Sequence, residues 1–252
     1  MNSLHIIASG CSFTKDLFQK TWPDYLAQSL NVDIVNIGAR GAGIDFTVKR
    51  IMYYCSQHQP DLVIVMLPSV DRFDWFLDDQ HPLLDSANQI ASWQNGKNSS
   101  LVNLDGTLSQ SSGYCLTGGE MRSFKTHWFK YYYSEASAQL DYWVKVYQLQ
   151  LFLLSRNINF CFSTAYDRDY LVEQSANKSG ANSNLGWIFD LISWEHFVFY
   201  KQTSGFLSFV KDYKFQIKKN HPETLAHEAW TKQILLTKIF ECVKRSGVGF
   251  IQ

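Results

Sequence analysis

Pro60-Asp61-Leu62-Val63-Ile64-Val65-Met66-Leu67 is the stretch that decides the fold: an unbroken apolar run rich in Val and Ile, entered through Pro-Asp and stopped by Pro68. A run this short, bounded by turn-forming residues, reads as a strand. Its lack of alternation means that both faces are buried, the habit of a parallel sheet. Residues 4–8 and 33–37 share the same pattern. Between these runs lie helical stretches: 22–30 opens after Thr21 with Pro23 in its first turn, and 44–58 ends before Pro60. Strand, helix, strand, helix, strand in succession predicts an α/β fold, a parallel sheet covered on both faces. A long amphipathic helix over 136–156 leading into a strand at 158–163 adds a further unit, and a last helix is expected over 223–244.

The chain has 252 residues, enough for one large core without disulfides or metals, and the whole of 1–252 is read as a single domain. Two stretches depart from the pattern. Residues 74–134 are polar and rich in Gly and Ser, and read as an irregular insertion; residues 166–200 end in an aromatic segment and read as a lid over the crevice. Basic and acidic side chains balance at 23 each with no charge block, so neither nucleic acid nor a membrane surface is expected as a partner. No apolar run approaches the roughly 20 residues of a membrane span. Ala8-Ser9-Gly10-Cys11 looks like a lipoprotein cleavage site, but no Lys or Arg precedes it and the apolar stretch is short for a signal sequence. Five scattered cysteines without a C-x-x-C pair suit neither a disulfide framework nor a zinc site, which points to a reducing cytoplasm.

In an open parallel sheet the ligand crevice lies beyond the carboxyl ends of the strands. After the first strand comes Gly10-Cys11-Ser12-Phe13-Thr14; after the second, Gly38-Ala39-Arg40-Gly41-Ala42-Gly43; after the third, Pro68-Ser69-Val70-Asp71-Arg72. Near the far end, His221 precedes Pro222, so its backbone is extended and its ring sits on a loop before the last helix. His227, inside that helix, reads as a packing residue.

Taken together, these four segments resemble the SGNH or GDSL hydrolases. Gly10-Cys11-Ser12 matches the family's Gly-x-Ser block with Cys11 in the middle, Asn36-Ile37-Gly38-Ala39-Arg40-Gly41 matches its Asn-x-Gly-x-x-Gly turn, the third strand has the family's look, and His221-Pro222 matches the late histidine block. The resemblance implies a three-layer α/β/α sandwich, a flavodoxin-like parallel sheet of about five strands, and a serine esterase with no metal or organic cofactor. Ser12 would be the nucleophile and His221 its base; the amides of Ser12 and Gly41 would bind the oxyanion.

Two departures shape that reading. Val70 stands where the family has an oxyanion Asn and cannot donate a hydrogen bond; Ser69 beside it carries a hydroxyl that can. Arg72 lies where a variant subgroup has an arginine, as an anchor for an anionic substrate group or as a surface ion-pair partner of Asp71 or Asp74. The positions two and three residues before His221 are Lys219 and Lys218 rather than an orienting acid, leaving a Ser-His dyad whose third member is a backbone carbonyl or a distant acid such as Asp212. Three functions follow: hydrolysis of small acyl esters, including O-acetyl groups on a carbohydrate; acyl transfer by the same dyad; or a carbohydrate- or partner-binding relative that keeps the fold without the chemistry. Oligomeric state is not legible.

Overall fold

The computed structural model describes residues 4–16, 18–72, 74–77, 101–103, 114–117, 130–167, 186–218 and 221–245. In chain order the strands are β1 (Ile6–Gly10), β2 (Ile34–Asn36), β3 (Leu62–Leu67), β4 (Asp74–Leu77), β5 (Leu101–Asn103), β6 (Tyr114–Thr117), β7 (Asn159–Thr164), β8 (Phe197–Val198), β9 (Ile217–Lys218) and β10 (His221–Pro222). The helices are α1 (Trp22–Leu30), α2 (Ile44–Gln57), α3 (Glu135–Ser155), α4 (Gly186–Leu191), α5 (Phe206–Asp212), α6 (Thr224–Trp230) and α7 (Leu236–Arg245), with a π-helical turn, Thr231–Leu235, joining the last two.

Five strands form one parallel sheet in the order β2-β1-β3-β7-β8, the flavodoxin-like order. Both faces are covered, so the central strands have no solvated side. All six residues of β3 are buried, and they alternate between two cores. Leu62, Ile64 and Met66 pack with α1, α5 and α6, against Trp22, Phe206 and Trp230. Val63, Val65 and Leu67 pack with α2 and α3, against Ile51, Trp143 and Val146. Each such apolar side chain contributes about 1.5–3 kcal/mol on burial, which explains why this strand reads so clearly in the sequence. Local devices set the helix ends: the Thr21 amide donates to Asp24 at 2.7 Å and Pro23 sits in the first turn of α1.

Two expectations are corrected. The 74–134 stretch is not wholly irregular, because β4, β6 and β5 pair in that order as a separate three-stranded antiparallel sheet. Strands of three or four residues leave little periodicity to read. The aromatic half of the expected lid belongs instead to the core: Phe197–Val198 is β8, the fifth strand, and Phe197 and Trp194 pack edge-on or tilted against Trp143. Residues 168–185 of that lid lie outside the described residues.

Because the chain leaves β1 for β2 on one side and then crosses to β3 on the other, the strand order reverses between β1 and β3. The crevice at that reversal is bounded by the loops after β1, β2 and β3.

Candidate active site

β1 ends at Gly10 with φ +143°, and a Cβ there would lie 2.4 Å from the Met66 carbonyl oxygen. A side chain is excluded twice, by conformation and by the close approach of β3. The chain then makes one tight turn, with the Thr14 and Lys15 amides donating to the Cys11 carbonyl at 2.9 and 3.1 Å. Thr14 fastens it. Its hydroxyl donates to Ser9 O and accepts from Trp22 Nε1, while its carbonyl accepts from Thr21 Oγ1 at 2.6 Å and Asn36 Nδ2 at 2.7 Å.

On this turn Ser12 is 4% exposed, and among the described residues neither its hydroxyl nor its amide makes a hydrogen bond. Both groups are left for something else. Cys11 is packed in the core with Ile6 and Phe206, a poor setting for an attacking thiolate.

The β2 loop is tied to the same turn. Asn36 bridges it, donating to Thr14 O and accepting from the Gly38 amide at 3.0 Å, and the Ala39 amide donates to Gly10 O at 3.0 Å. That accounts for the Asn-x-Gly spacing. Gly41, at φ +74°, turns the loop towards α2. After β3, Pro68 O accepts from the buried Tyr142 hydroxyl at 3.0 Å. The Ser69 hydroxyl donates to the Asp71 carboxylate, so its proton is engaged there rather than offered to an oxyanion. Val70 packs on the α2 and α3 side.

Arg72 is half-buried, with a long hydrogen bond of 3.5 Å to Ala42 O and no ion pair among the described residues. Burial opposes its charge, but Cys11, Tyr166, Asp71 and Asp74 around it more than compensate, so its pKa rises. The expected surface pairing with Asp74 is corrected: Asp74 is buried and its carboxylate accepts the Gly43 and Phe46 amides at 2.9 and 2.8 Å. Nothing in the sequence pointed to this contact, which spans about thirty positions.

His221 lies edge-on to Phe13, the residue after Ser12, with ring centroids 5.8 Å apart. Gln19 ties its segment to the β1 loop, donating to Pro222 O at 3.0 Å and accepting from Thr224 Oγ1 at 3.3 Å. The structure therefore brings His221 beside the Ser12 turn, without a direct Ser12–His221 hydrogen bond among the described residues. Lys218 is the register partner of His221 across β9 and β10, and Lys219 lies outside the described residues. Asp212 is corrected as a substitute acid, because it is exposed and ion-paired with Lys201 at 2.7 Å. Behind the site His227 is fully buried against Phe206, and burial, aided by His221, pushes its pKa down to about 3.

Among the described residues no group of three or more His, Cys, Asp or Glu is arranged to hold a metal ion, and no helix is long and apolar enough to cross a membrane.

No protein-family model matches the chain, and no curated protein does. Among solved structures, a catalytic variant of Axe2, an acetylxylan esterase from Geobacillus stearothermophilus, superposes over 95% of this chain and 95% of its own with a TM-score of 0.51 at 12% identity. The chain has an SGNH/GDSL hydrolase-like fold. Also similar are a G-D-S-L family lipolytic protein from Desulfitobacterium hafniense DCB-2, at 12% identity over 96% of this chain and 99% of that one (TM-score 0.42), and an acetyl xylan esterase from the rumen bacterium Butyrivibrio proteoclasticus, at 12% over 98% and 65% (TM-score 0.41). On the SGNH-like sheet, Ser12, Gly41 and Arg72 all follow the carboxyl ends of neighbouring strands.

Proposed function

We propose that this chain is a serine-type carboxylic ester hydrolase acting on small acyl esters, O-acetyl groups on a carbohydrate among them. The observation that carries the reading is the Ser12 turn: at the reversal of strand order, the hydroxyl and amide of a nearly buried serine make no hydrogen bond among the described residues, and His221 lies edge-on to the next residue, Phe13. Ser12 Oγ attacks the acyl carbon while His221 takes the hydroxyl proton, and the Ser12 and Gly41 amides bind the oxyanion. Collapse of the tetrahedral intermediate expels the alcohol, which leaves with that proton. A water then attacks the acyl-enzyme, giving its proton to His221, and the acid is released as Ser12 regains a proton. Arg72 is the anchor for an anionic substrate group. The likeness to acetylxylan esterases supports the acetyl ester as the substrate to try first.

Turnover of p-nitrophenyl acetate tests the reading. Ser12→Ala abolishes it and Cys11→Ala leaves most of it; the opposite pattern sinks the assignment. The absent Ser12–His221 bond favours a second reading, a binding relative without chemistry, which a folded wild-type chain with no turnover would support.

A further inference from the structure

The Ser-His dyad makes no use of the buried carboxylate of Asp74. We propose that Asp74 is a positioning residue that latches the end of the β2 loop and so holds the Gly41 amide where Ser12 needs it. The inference rests on Gly41 being an oxyanion donor. Its geometry stands apart from that reading.

The first residue of a helix normally offers a side-chain oxygen to the unsatisfied amides of the first turn. At α2 that position is Gly43, which has no side chain to offer. Asp74 supplies the oxygens from β4: Oδ1 accepts the Gly43 amide at 2.9 Å and Oδ2 the Phe46 amide at 2.8 Å. Glycine is what lets it come so close, since a Cβ on Gly43 would lie 2.7 Å from Asp74 Oδ2 and 2.9 Å from Arg72 O. The loop is thus pinned at both ends. Asn36 and Ala39 hold its start to the Ser12 turn, Gly43 and Ala42 hold its end to Asp74 and Arg72, and Gly41 lies between.

The latch has a built-in titration. Asp74 faces Asp45 on α2 and Arg72 after β3, and the cavity of about 380 Å³ that it lines also receives Asp71 and, from α3, Asp141 and Lys145. Burial pushes its pKa up to about 6; Asp45 adds to this, while the two amides and Arg72 pull the other way. Between the ordinary carboxylate range and about 6 the folded chain keeps a proton that the unfolded chain has lost. This group therefore makes overall stability fall as pH rises through that window. The two amide bonds favour the charged carboxylate, but burial outweighs them, so deprotonation also favours release of Asp74 from Gly43 and Phe46 to solvent.

Amide hydrogen exchange at Gly43 and Phe46, followed by NMR from pH 5 to 8 in wild type and Asp74→Asn, decides it, with ester turnover in parallel. After correction for intrinsic exchange, protection at one or both amides should be about tenfold lower in Asp74→Asn than in wild type at the same pH. The variant, which keeps one acceptor, should stay folded and lose about tenfold in kcat with little change in KM. Equal protection in wild type and Asp74→Asn overturns the latch. Altered exchange with unchanged kcat overturns its link to Gly41. If the wild type neither turns over ester nor labels with a fluorophosphonate, the hydrolase reading fails, while the exchange profile still decides the latch.

Discussion

The two sides of the crevice are built by different means. The Ser12 side is held by a glycine and by hydrogen bonds: Gly10 fits where no Cβ can, Thr14 fastens four neighbouring groups, and Asn36 locks the next loop to the same turn. The His221 side is held by packing and a glutamine, with Phe13 against the imidazole, Gln19 on Pro222 and a lysine rather than an acid across the short β9–β10 pair. The nucleophile turn and the base thus rest on different sets of contacts, which separate substitutions can break.

Breaking each side should give different signatures. On the histidine side the loss is of chemistry: His221→Ala should lower kcat for p-nitrophenyl acetate by about a thousandfold or more with a near-native melting curve. Steady-state kinetics with parallel calorimetry checks this, and unchanged kcat would remove His221 from the mechanism. On the serine side the loss is of structure. Gly10→Ala must strain a positive φ and push a methyl into Met66 O, so it should cost about 4 kcal/mol or more, read as a fall in Tm of at least about 8 °C.

His227 sharpens the comparison by pH. Its folded pKa, about 3, lies below the ordinary 6.5, so the unfolded chain binds a proton that the folded one refuses, and stability is lost as pH falls through that window. This runs opposite to the contribution of Asp74. His227→Phe keeps the contact with Phe206 and removes two buried ring nitrogens that make no hydrogen bond among the described residues; it should flatten the acid loss while leaving kcat within about threefold at pH 8. Equally steep acid unfolding in the variant would contradict this. The smallest effect is expected from Thr14→Val, isosteric but unable to accept from Trp22 Nε1: about 1–3 kcal/mol by chemical denaturation.

What could be read from the sequence follows the same division. β3 and its neighbours were legible because burial on both faces forces unbroken apolar runs, and the crevice loops because Gly10, Asn36 and Gly41 answer to backbone geometry that few other residues satisfy. β8 was not, since two residues inside an aromatic segment have no period. The β4-β6-β5 sheet hid behind turn-rich composition. Asp74 read as a surface ion-pair partner because capping a helix about thirty residues away leaves no local pattern, and Asp212 was plausible as an acid until Lys201 was found beside it.

The most direct test of the central claim is to react the purified chain with a fluorophosphonate probe and map the adduct by mass spectrometry, in wild type, Ser12→Ala and Cys11→Ala. The account predicts a single adduct on Ser12, absent from Ser12→Ala and retained in Cys11→Ala. A folded wild-type chain that carries no adduct, or carries it on another residue, would contradict the assignment of Ser12 as nucleophile.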